Sequence, residues 1–177
     1  MPERGQITVF NRSYYEDVLF PQVHNSFLEK ENKDFPAHPE KSFWKLRLKD
    51  IVRFESYLHR QNMTILKFFL NISKDEQKKR LLHRIEEPSK NWKFDPQDIE
   101  ERKHWNKYHE IYDRCLRHSS TDEAPWYVIP ADDKLAAKLV ISEILLKSLQ
   151  SLKLTYPALS TQQKKQLKAC ALSLQNE

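Results

Sequence analysis

The chain has 177 residues, of which 39% are hydrophobic and 31% charged, and it carries a formal net charge of +5. This balance indicates a globular domain and excludes a disordered chain, and no apolar run approaches the ~20 residues that a membrane-spanning helix needs. The single glycine, Gly5, excludes a Gly-rich phosphate loop within this sequence, because such loops need several glycines close together.

The N-terminal sequence and the cysteines indicate the compartment. The sequence MPERGQITVF lacks the basic segment and the long apolar stretch of a signal peptide. Cys115 and Cys170 lie far apart and form no CxxC motif, so we interpret both as free thiols of a reducing compartment. We therefore expect a cytoplasmic protein that does not associate with membranes, and its basic charge favours an anionic partner.

The first half of the chain predicts strands and helices in alternation. Ile7–Phe10 is typical of a short buried strand, and Arg12–Phe20 of the start of a helix. Residues 25–42 are polar and contain prolines, which predicts a loop. Apolar residues recur three or four apart in Phe43–Gln61, as on one face of a helix. The largely apolar Met63–Ile72 has the length of a strand and predicts a buried parallel one.

Helix-start signals organise the second half. Ser73 to Glu76 matches a capping box and predicts a helix to about Glu86. Asp95 and Pro96 predict the start of another helix that continues to about His118. The remaining elements predicted are a strand at Trp126–Ile129 and helices at Asp133–Leu152 and Gln162–Leu174.

Strands that alternate with helices predict an α/β domain with a mainly parallel sheet. Ligands of such sheets bind at the carboxyl ends of the strands. The sequence places three polar segments at such ends, namely Asn11–Arg12, Asn71–Ser73 and Ala131–Asp133. We therefore expect a binding site at this edge of the sheet.

The polar residues after the first predicted strand allow two interpretations. Asn11 would place an oxygen ligand beside Mg²⁺, Glu16 or Asp17 would supply negative charge, and Arg12 would bind phosphate as a planar fork. The alternative is a plain helix N-terminus whose acidic residues complement the helix dipole. Spacing alone leaves both open.

Basic residues cluster around the second predicted strand. Arg80 and Arg84 are four residues apart and share a helix face, and a charge within a strand, such as Lys67, needs a partner or a ligand. The cluster would line a groove for a polyanion. The alternative is a solvated basic face on which Glu76 pairs with Arg80. The residues concerned are Lys67, Lys78, Arg80 and Arg84.

Aromatic and basic residues interleave in Asn91–Trp105, just before and within a capped helix. One interpretation is a mobile cover whose Lys93 and Arg102 close over phosphates. The alternatives are a loop anchored to the core and a stacking surface for nucleic acid.

Four segments in this order resemble the family-2 polyphosphate kinases: FNRSYYEDVL, LKFFLNISKDEQKKRLLHR, NWKFDPQDIEERKHW and STDEAPWYVIPADDK. The similarity covers roughly residues 2–157. It implies a P-loop-kinase-like, three-layer α/β/α domain over residues 1–157, with a mainly parallel sheet and a helical lid at about residues 88–105. Residues 158–177 would then form a C-terminal tail with a helical pattern.

The resemblance also implies an activity, in which a phosphoryl group moves between inorganic polyphosphate and a nucleoside mono- or diphosphate (AMP, ADP or GDP) with Mg²⁺. Asn11 and Arg12 fall on the Walker B position and Asp17 on the acid of the family's YED motif, which implies Asn11 and Asp17 as metal ligands. Lys93 and Arg102 would contact phosphates from the lid. The polyphosphate channel would comprise Lys67, Lys78, Arg80 and Arg84. Family members commonly associate, so a homo-oligomer is expected, and nucleic acid is not an expected partner.

One part of the family pattern is missing. The Walker A loop and its strand precede the Walker B strand in the family, and this sequence begins after them. We therefore expect an incomplete sheet and the C-terminal portion of a kinase. The alternatives are a non-catalytic polyphosphate-binding module, a kinase-like subunit that is completed by a partner, and a basic nucleic-acid-binding protein.

Overall fold

The computed structural model describes residues 1–24 and 39–176, so most of the loop predicted over 25–42 lies outside the described residues. Two strands, β1 (Lys67–Asn71) and β2 (Trp126–Pro130), are present in this part of the chain, and Pro88–Lys93 forms a 3₁₀ turn. The helices are α1 (Glu16–Val23), α2 (Lys41–Arg60), α3 (Lys74–Glu86), α4 (Gln97–Lys103), α5 (Trp105–Ser119), α6 (Lys134–Ser151) and α7 (Thr161–Gln175).

The two strands pair in parallel, as predicted. The register runs from Lys67 opposite Trp126 to Asn71 opposite Pro130. A parallel pair needs a long crossover, and here the chain passes through α3, α4 and α5 between the strands. The carboxyl ends of β1 and β2 therefore meet at one edge of the sheet.

The helix-start signals are confirmed in part. Ser73 Oγ accepts the backbone N–H of Glu76 at 3.0 Å and caps α3. Glu76 does not complete the predicted box, because its carboxylate pairs with Arg80 and the N–H of Ser73 donates to Asp132. The single helix predicted to run to His118 is divided into α4 and α5 at His104.

The prediction of a buried strand at Ile7–Phe10 is wrong. This segment forms no strand, and Ile7 and Val9 are 77% and 87% exposed. A strand needs a neighbour that satisfies its backbone groups, and the only pairing among the described residues joins β1 to β2. Apolar composition alone therefore does not bury this segment.

The core lies where α1 and α2 pack with α5. Its side chains come from one face of each helix, which explains the spacing of three and four seen in the sequence. This packing fixes the position of α1 and of the turn that precedes it. The buried residues are Tyr15, Val18, Leu19, Val23, Trp44, Leu48, Ile111 and Cys115.

The chain divides into two compact units, Met1–Ala137 and Lys138–Glu177. The first holds the sheet and helices α1 to α5. In the second, α7 confirms the helix predicted near the C-terminus and begins with a capping box formed by Ser160 and Gln163. The domain boundary at residue 157 stays a prediction. In the part of the chain that the structure describes, no helix is long and apolar enough to cross a membrane.

Candidate functional site

The strand ends that were expected to carry a site are joined to each other. The N–H of Ala131 donates to the carbonyl oxygen of Asn71 at 2.9 Å, and the N–H of Ser73 donates to Oδ1 of Asp132 at 2.7 Å. This backbone hydrogen bond from Ser73 lowers the pKa of the Asp132 carboxyl. The loops after β1 and β2 thus form one unit with a fixed carboxylate.

An open cleft of about 400 Å³ lies at these strand ends. The N-terminus of α3, with Lys74 in its first turn, forms one side, and Trp105 and His109 of α5 form another. A helix N-terminus and a lysine both favour anions. The lining residues are Asn71, Ile72, Ser73, Lys74, Trp105, His109, Pro130, Ala131 and Asp132.

Arg102 of α4 is brought to the side of this cleft. Its guanidinium donates to the carbonyl oxygen of Lys74 at 2.7 Å and to Oε1 of Gln77 at 2.8 Å. It also lies 5.9 Å from the ring centroid of Trp105. The predicted lid residue is therefore placed beside two residues of the cleft lining, Lys74 and Trp105.

Glu101 anchors the segment that carries Arg102, and nothing in the sequence points to this role beyond the position of Glu101 in the lid motif. Its Oε2 lies 2.8 Å from Nε2 of His24 and accepts the hydroxyl of Tyr108 at 2.8 Å. Burial would raise the pKa of Glu101, but hydrogen bonds from Gln97, His24 and Tyr108 outweigh it and lower that pKa. The lid segment is thereby attached to α1 and α5.

Arg80 is engaged by protein groups. It donates to Oε1 of Glu76 at 2.8 Å and to the carbonyl oxygens of Ala131 at 2.5 Å and Asp132 at 3.1 Å. Its guanidinium thus connects α3 to the loop after β2. The predicted pair with Glu76 is confirmed, and a polyphosphate contact stays a prediction.

Lys67 was predicted to line a polyphosphate channel, and its surroundings contradict this. Nζ donates to Oε2 of Glu55 at 2.6 Å, to the carbonyl oxygen of Ser119 at 2.8 Å and to the hydroxyl of Tyr15 at 3.0 Å. The side chain is 6% exposed. All three ammonium donors are therefore used in the interior, and none faces solvent.

The partners of Lys67 form a buried polar network that sequence reasoning missed. Glu55 accepts the hydroxyls of Tyr14 and Tyr15 at 2.8 and 3.0 Å. Burial and the neighbouring Glu55 raise the pKa of both tyrosines, and burial lowers the pKa of Lys67. Trp126 of β2 joins by donating Nε1–H to Ser119 Oγ at 2.9 Å. The network connects α1, α2, α5 and both strands.

The remaining basic candidates are closer to solvent. Lys78 is exposed on α3, and Lys93 is exposed with Nζ 4.8 Å from the ring centroid of Trp92. Arg84 pairs with Asp98 at 3.2 Å, which ties α3 to α4. The alternative of a solvated basic face therefore describes Lys78 in this structure. Lys93 is exposed as well, and the phosphate contacts of both lysines stay predictions.

The residues expected at the end of the first predicted strand lie outside the strand-end cleft. Asn11 is exposed, and Arg12 has a φ of 70° and pairs with Glu16 at 3.4 Å. Asp17 lines a second open cleft of about 310 Å³ between α1 and α2, together with Arg47. Asn11, Arg12 and Asp17 are not among the residues that line the strand-end cleft.

Asn11 and Asp17 offer an amide oxygen and a carboxylate to a metal ion. Carboxylate and amide oxygens are ligands that Mg²⁺ accepts, and it often takes few of them from protein and the rest from phosphates and water. Among the residues of known placement, no group of three His, Cys, Asp or Glu could hold a metal ion. The chemistry of these two side chains therefore suits Mg²⁺ only where phosphate oxygens and water complete its coordination, and their role as metal ligands stays a prediction.

A family model and curated relatives assign the chain to the same family. The model of the family described as polyphosphate kinase 2 matches residues 1–156. The chain is 47% identical over 167 residues to an ADP-polyphosphate phosphotransferase of Rhodopseudomonas palustris, covering 94% of this chain and 58% of the relative. It is 41% identical over 165 residues to an AMP/ADP-polyphosphate phosphotransferase of Meiothermus ruber, covering 93% and 57%.

A solved structure agrees with these relatives. Polyphosphate kinase 2 from Arthrobacter aurescens TC1 superimposes with a TM-score of 0.82 at 37% identity, over 96% of this chain and 56% of that chain. The predicted P-loop-kinase-like α/β fold is thereby confirmed. The chain spans less than three fifths of the length of each of these relatives.

Proposed function

Since the chain belongs to the polyphosphate kinase 2 family, we propose that it carries the strand-end part of a polyphosphate-dependent nucleotide phosphotransferase. The substrates would be inorganic polyphosphate and a nucleoside mono- or diphosphate such as AMP, ADP or GDP. The observation that carries the proposal is the meeting of Arg102, Lys74 and the N-terminus of α3 beside the strand-end cleft. Cationic and N–H donors at one cleft suit a phosphorylated ligand.

The reaction is an exchange of one P–O bond for another. In the nucleotide-forming direction, an oxygen of the nucleotide's terminal phosphate attacks the terminal phosphorus of polyphosphate. The bond from that phosphorus to the bridging oxygen breaks, so the nucleotide gains one phosphate and polyphosphate leaves one unit shorter. Catalysis of such a transfer rests on positioning and on neutralising charge on the phosphoryl oxygens. No covalent nucleophile is needed.

Residues of the lid would supply part of that neutralisation. Arg102 already lies beside the cleft, and a fork-shaped guanidinium can hold two phosphate oxygens. We propose that Lys93 and Arg12 make further phosphate contacts when substrates are bound. The lid would also keep water from the donor, which prevents its hydrolysis.

We propose that Mg²⁺ is held by Asn11 and Asp17 together with substrate phosphate oxygens. When bound, the ion would neutralise charge on those oxygens. Polyphosphate would run along α3, where Lys78 is exposed and Arg84 is half-buried. Lys67 is left out of this surface because it is buried.

We also propose that the protein is cytoplasmic and that it self-associates. Cys115 and Cys170 are both free thiols, as a reducing compartment allows. Nucleic acid is not proposed as a partner. Nucleic-acid binding that is sensitive to salt and that polyphosphate cannot compete away would favour the alternative of a basic nucleic-acid-binding protein.

Phosphoryl transfer itself is the test. The purified chain would be incubated with Mg²⁺, polyphosphate and AMP or ADP while formation of ADP or ATP is followed. We expect turnover that Arg102→Ala removes. Arg117→Ala is the matched control, because Arg117 is an exposed arginine of α5 that pairs only with Asp113 among the described contacts.

The same samples would be tested for polyphosphate binding over a range of salt concentrations. Turnover that is unaffected by Arg102→Ala would contradict the role given to the lid. A folded chain that binds polyphosphate without turnover would support the non-catalytic binding module instead of an enzyme.

A further inference from the structure

Arg102 uses only one nitrogen of its guanidinium in its hydrogen bonds to described residues. Both bonds come from Nη1, which donates to the carbonyl oxygen of Lys74 at 2.7 Å and to Oε1 of Gln77 at 2.8 Å. A guanidinium has five N–H groups, and two of them are on Nη1. The N–H groups of Nε and Nη2 therefore make no hydrogen bond with the part of the chain that the structure describes.

The edge formed by Nε and Nη2 has the geometry that phosphate binding needs. Two parallel N–H groups along one edge of the planar guanidinium match two phosphate oxygens. The central carbon of the guanidinium lies 5.9 Å from the ring centroid of Trp105, and both Trp105 and Lys74 line the strand-end cleft. The contacts of Nη1 thus determine which edge of Arg102 is left for a ligand at this cleft.

The acceptors of Arg102 differ in kind from those of two neighbouring arginines. Arg80 and Arg84 of α3 each pair with a carboxylate, whereas both acceptors of Arg102 are neutral amide oxygens. A carboxylate would cancel the charge that attracts a phosphate, and a neutral acceptor leaves that charge in place. Of the two acceptors, only Gln77, which is half-buried on α3, is a side chain that evolution or mutagenesis can change.

We propose that Gln77 is a positioning residue for phosphate binding. Its amide oxygen holds Nη1 of Arg102 against α3, so that the Nε–Nη2 edge receives two oxygens of a substrate phosphate. This inference rests on the proposed function, in which Arg102 contacts phosphate at the strand-end cleft. A side chain that is already oriented loses less rotamer freedom on binding, which favours the complex. Gln77 acts through Arg102 and need not touch the ligand itself.

Arginine side-chain NMR tests the positioning in the chain without substrate. The signal of Arg102 would be assigned by its disappearance in Arg102→Ala. Rotation about the Cζ–Nη1 bond should be at least about threefold faster in Gln77→Ala, because one of the two hydrogen bonds of Nη1 is lost. Gln22→Ala is the matched control, because Oε1 of Gln22 accepts Nη2 of Arg114 at 3.0 Å between α1 and α5. It should leave the rotation of Arg102 unchanged.

Binding of inorganic polyphosphate by two variants of Gln77 tests the consequence for the ligand. Gln77→Ala should raise the Kd about three- to tenfold, because Arg102 is no longer held in place. Gln77→Glu should raise it more than about tenfold, because the new carboxylate neutralises the guanidinium. Gln77→Glu keeps the link between α3 and α4, so its melting temperature should not fall. A residue with only a structural role would instead retain affinity in Gln77→Glu.

A double-mutant cycle separates action through Arg102 from a direct effect on the ligand. In the Arg102→Ala background, neither substitution of Gln77 should change the Kd for polyphosphate further. An equal loss with and without Arg102 would mean that Gln77 or its new charge acts on polyphosphate directly, and it would overturn the inference. Unchanged rotation of Arg102 in Gln77→Ala, or native affinity in Gln77→Glu, would overturn it as well.

These measurements distinguish failure of the inference from failure of the proposed function. Faster rotation of Arg102 together with a loss of affinity that depends on Arg102 supports the positioning role even where no turnover is detected. A native chain that neither binds polyphosphate nor transfers a phosphoryl group contradicts the proposed function, and the phosphate role of Gln77 fails with it. Native affinity in both Gln77 variants of a chain that does bind polyphosphate contradicts the inference alone.

Discussion

Lys67 Nζ lies 2.6 Å from Oε2 of Glu55, and the two side chains are 6% and 1% exposed. An ammonium and a carboxylate so placed have lost their hydration, and each depends on the other for compensation. The pair joins β1 to α2, and its hydrogen bonds to Tyr15 extend it to α1. It is therefore a structural link between the sheet and the helical core.

Replacing Glu55 by Gln should destabilise the protein strongly. The variant keeps the shape of the side chain but leaves Lys67 as an uncompensated buried charge, for which a loss of about 3–5 kcal/mol in the free energy of unfolding is typical. Urea unfolding monitored by tryptophan fluorescence measures it. Replacing both partners, with Glu55→Leu and Lys67→Met, should cost much less. An equal loss in the single and double variants would show that packing and not charge is responsible.

The sequence carries a signal for each member of this pair. In α2 the apolar positions Leu48, Ile51 and Leu58 recur at helical spacing, and Glu55 falls on the same face. A carboxylate on an apolar helix face and a lysine in an apolar strand each need a counter-charge. Assigning them to each other requires knowing that α2 packs beside β1, and this is a tertiary fact.

Helices were predicted well because their apolar faces and caps are local. The periodicity of α2 and the cap at Ser73 are both confirmed. Strand formation depends on a partner elsewhere in the chain, and Ile7–Phe10 shows the consequence: its composition is that of a strand, but it remains exposed. Asn11 and Asp17 could not be placed from sequence for the same reason, since their position depends on that segment.

The strand-end cleft could be predicted in part from the sequence. Ser73 and Asp132 were expected near each other because parallel strands end at one edge, and the 2.7 Å hydrogen bond confirms it. The anchoring of the lid by Glu101 to His24 was not predictable, because it joins residues 77 apart in sequence. The position of the cleft therefore follows from the ends of the predicted strands, whereas the contacts that hold the lid segment follow only from the tertiary structure.

The two cysteines should differ sharply in reactivity. Burial raises the pKa of Cys115 to about 11, whereas Cys170 is exposed. Since the thiolate is the reacting form, iodoacetamide at pH 8 should modify Cys170 and leave Cys115 almost unmodified, as mass spectrometry would show.

The raised pKa also means that protonated Cys115 stabilises the fold fully below pH 9 and that this contribution is lost as the pH rises through about 11.

Unfolding in urea is the control for this prediction, because both thiols should then react at similar rates. Equal modification of Cys115 and Cys170 in the native protein would contradict the packing of α5 against α1 and α2.

Glu101→Gln should loosen the lid segment. The amide cannot replace the carboxylate that accepts from His24 and Tyr108, so the amides of Gln97–Lys103 should exchange several-fold faster at pH 7. Hydrogen exchange with mass spectrometry measures this. Glu100→Gln is the matched control, because Glu100 is exposed and pairs only with Lys103 among the described contacts. Unchanged exchange in Glu101→Gln would refute the anchoring role.

The lowered pKa of Glu101 predicts that the stability of the fold depends on pH. The pKa of Glu101 is lowered below its usual 4.5 in the folded protein. Its contribution to stability is therefore present above about pH 4.5 and is lost as the pH falls through the folded-state pKa. Melting temperatures recorded from pH 7 to pH 3 should fall less steeply for Glu101→Gln than for the unmodified chain. Parallel curves would contradict this assignment.

Arg80→Ala should lower the free energy of unfolding by about 1–3 kcal/mol, because the carbonyl oxygens of Ala131 and Asp132 and the Glu76 carboxylate lose a charged donor. Arg80→Lys should restore only part of this, since an ammonium cannot span the two carbonyls as a planar fork does. Urea unfolding measures both variants. Lys79→Ala removes the same charge from the neighbouring exposed position and should leave stability nearly unchanged.

Polyphosphate binding by these variants separates the two roles open to Arg80. A residue that holds the loop after β2 should affect binding in proportion to the loss of stability, so Arg80→Lys should lie between the native chain and Arg80→Ala in both measurements. A residue that binds phosphate through its charge should instead retain binding in Arg80→Lys. Arg80→Ala that kept native stability and lost polyphosphate affinity would show that the contacts to Ala131 and Asp132 are dispensable and that the guanidinium serves the ligand.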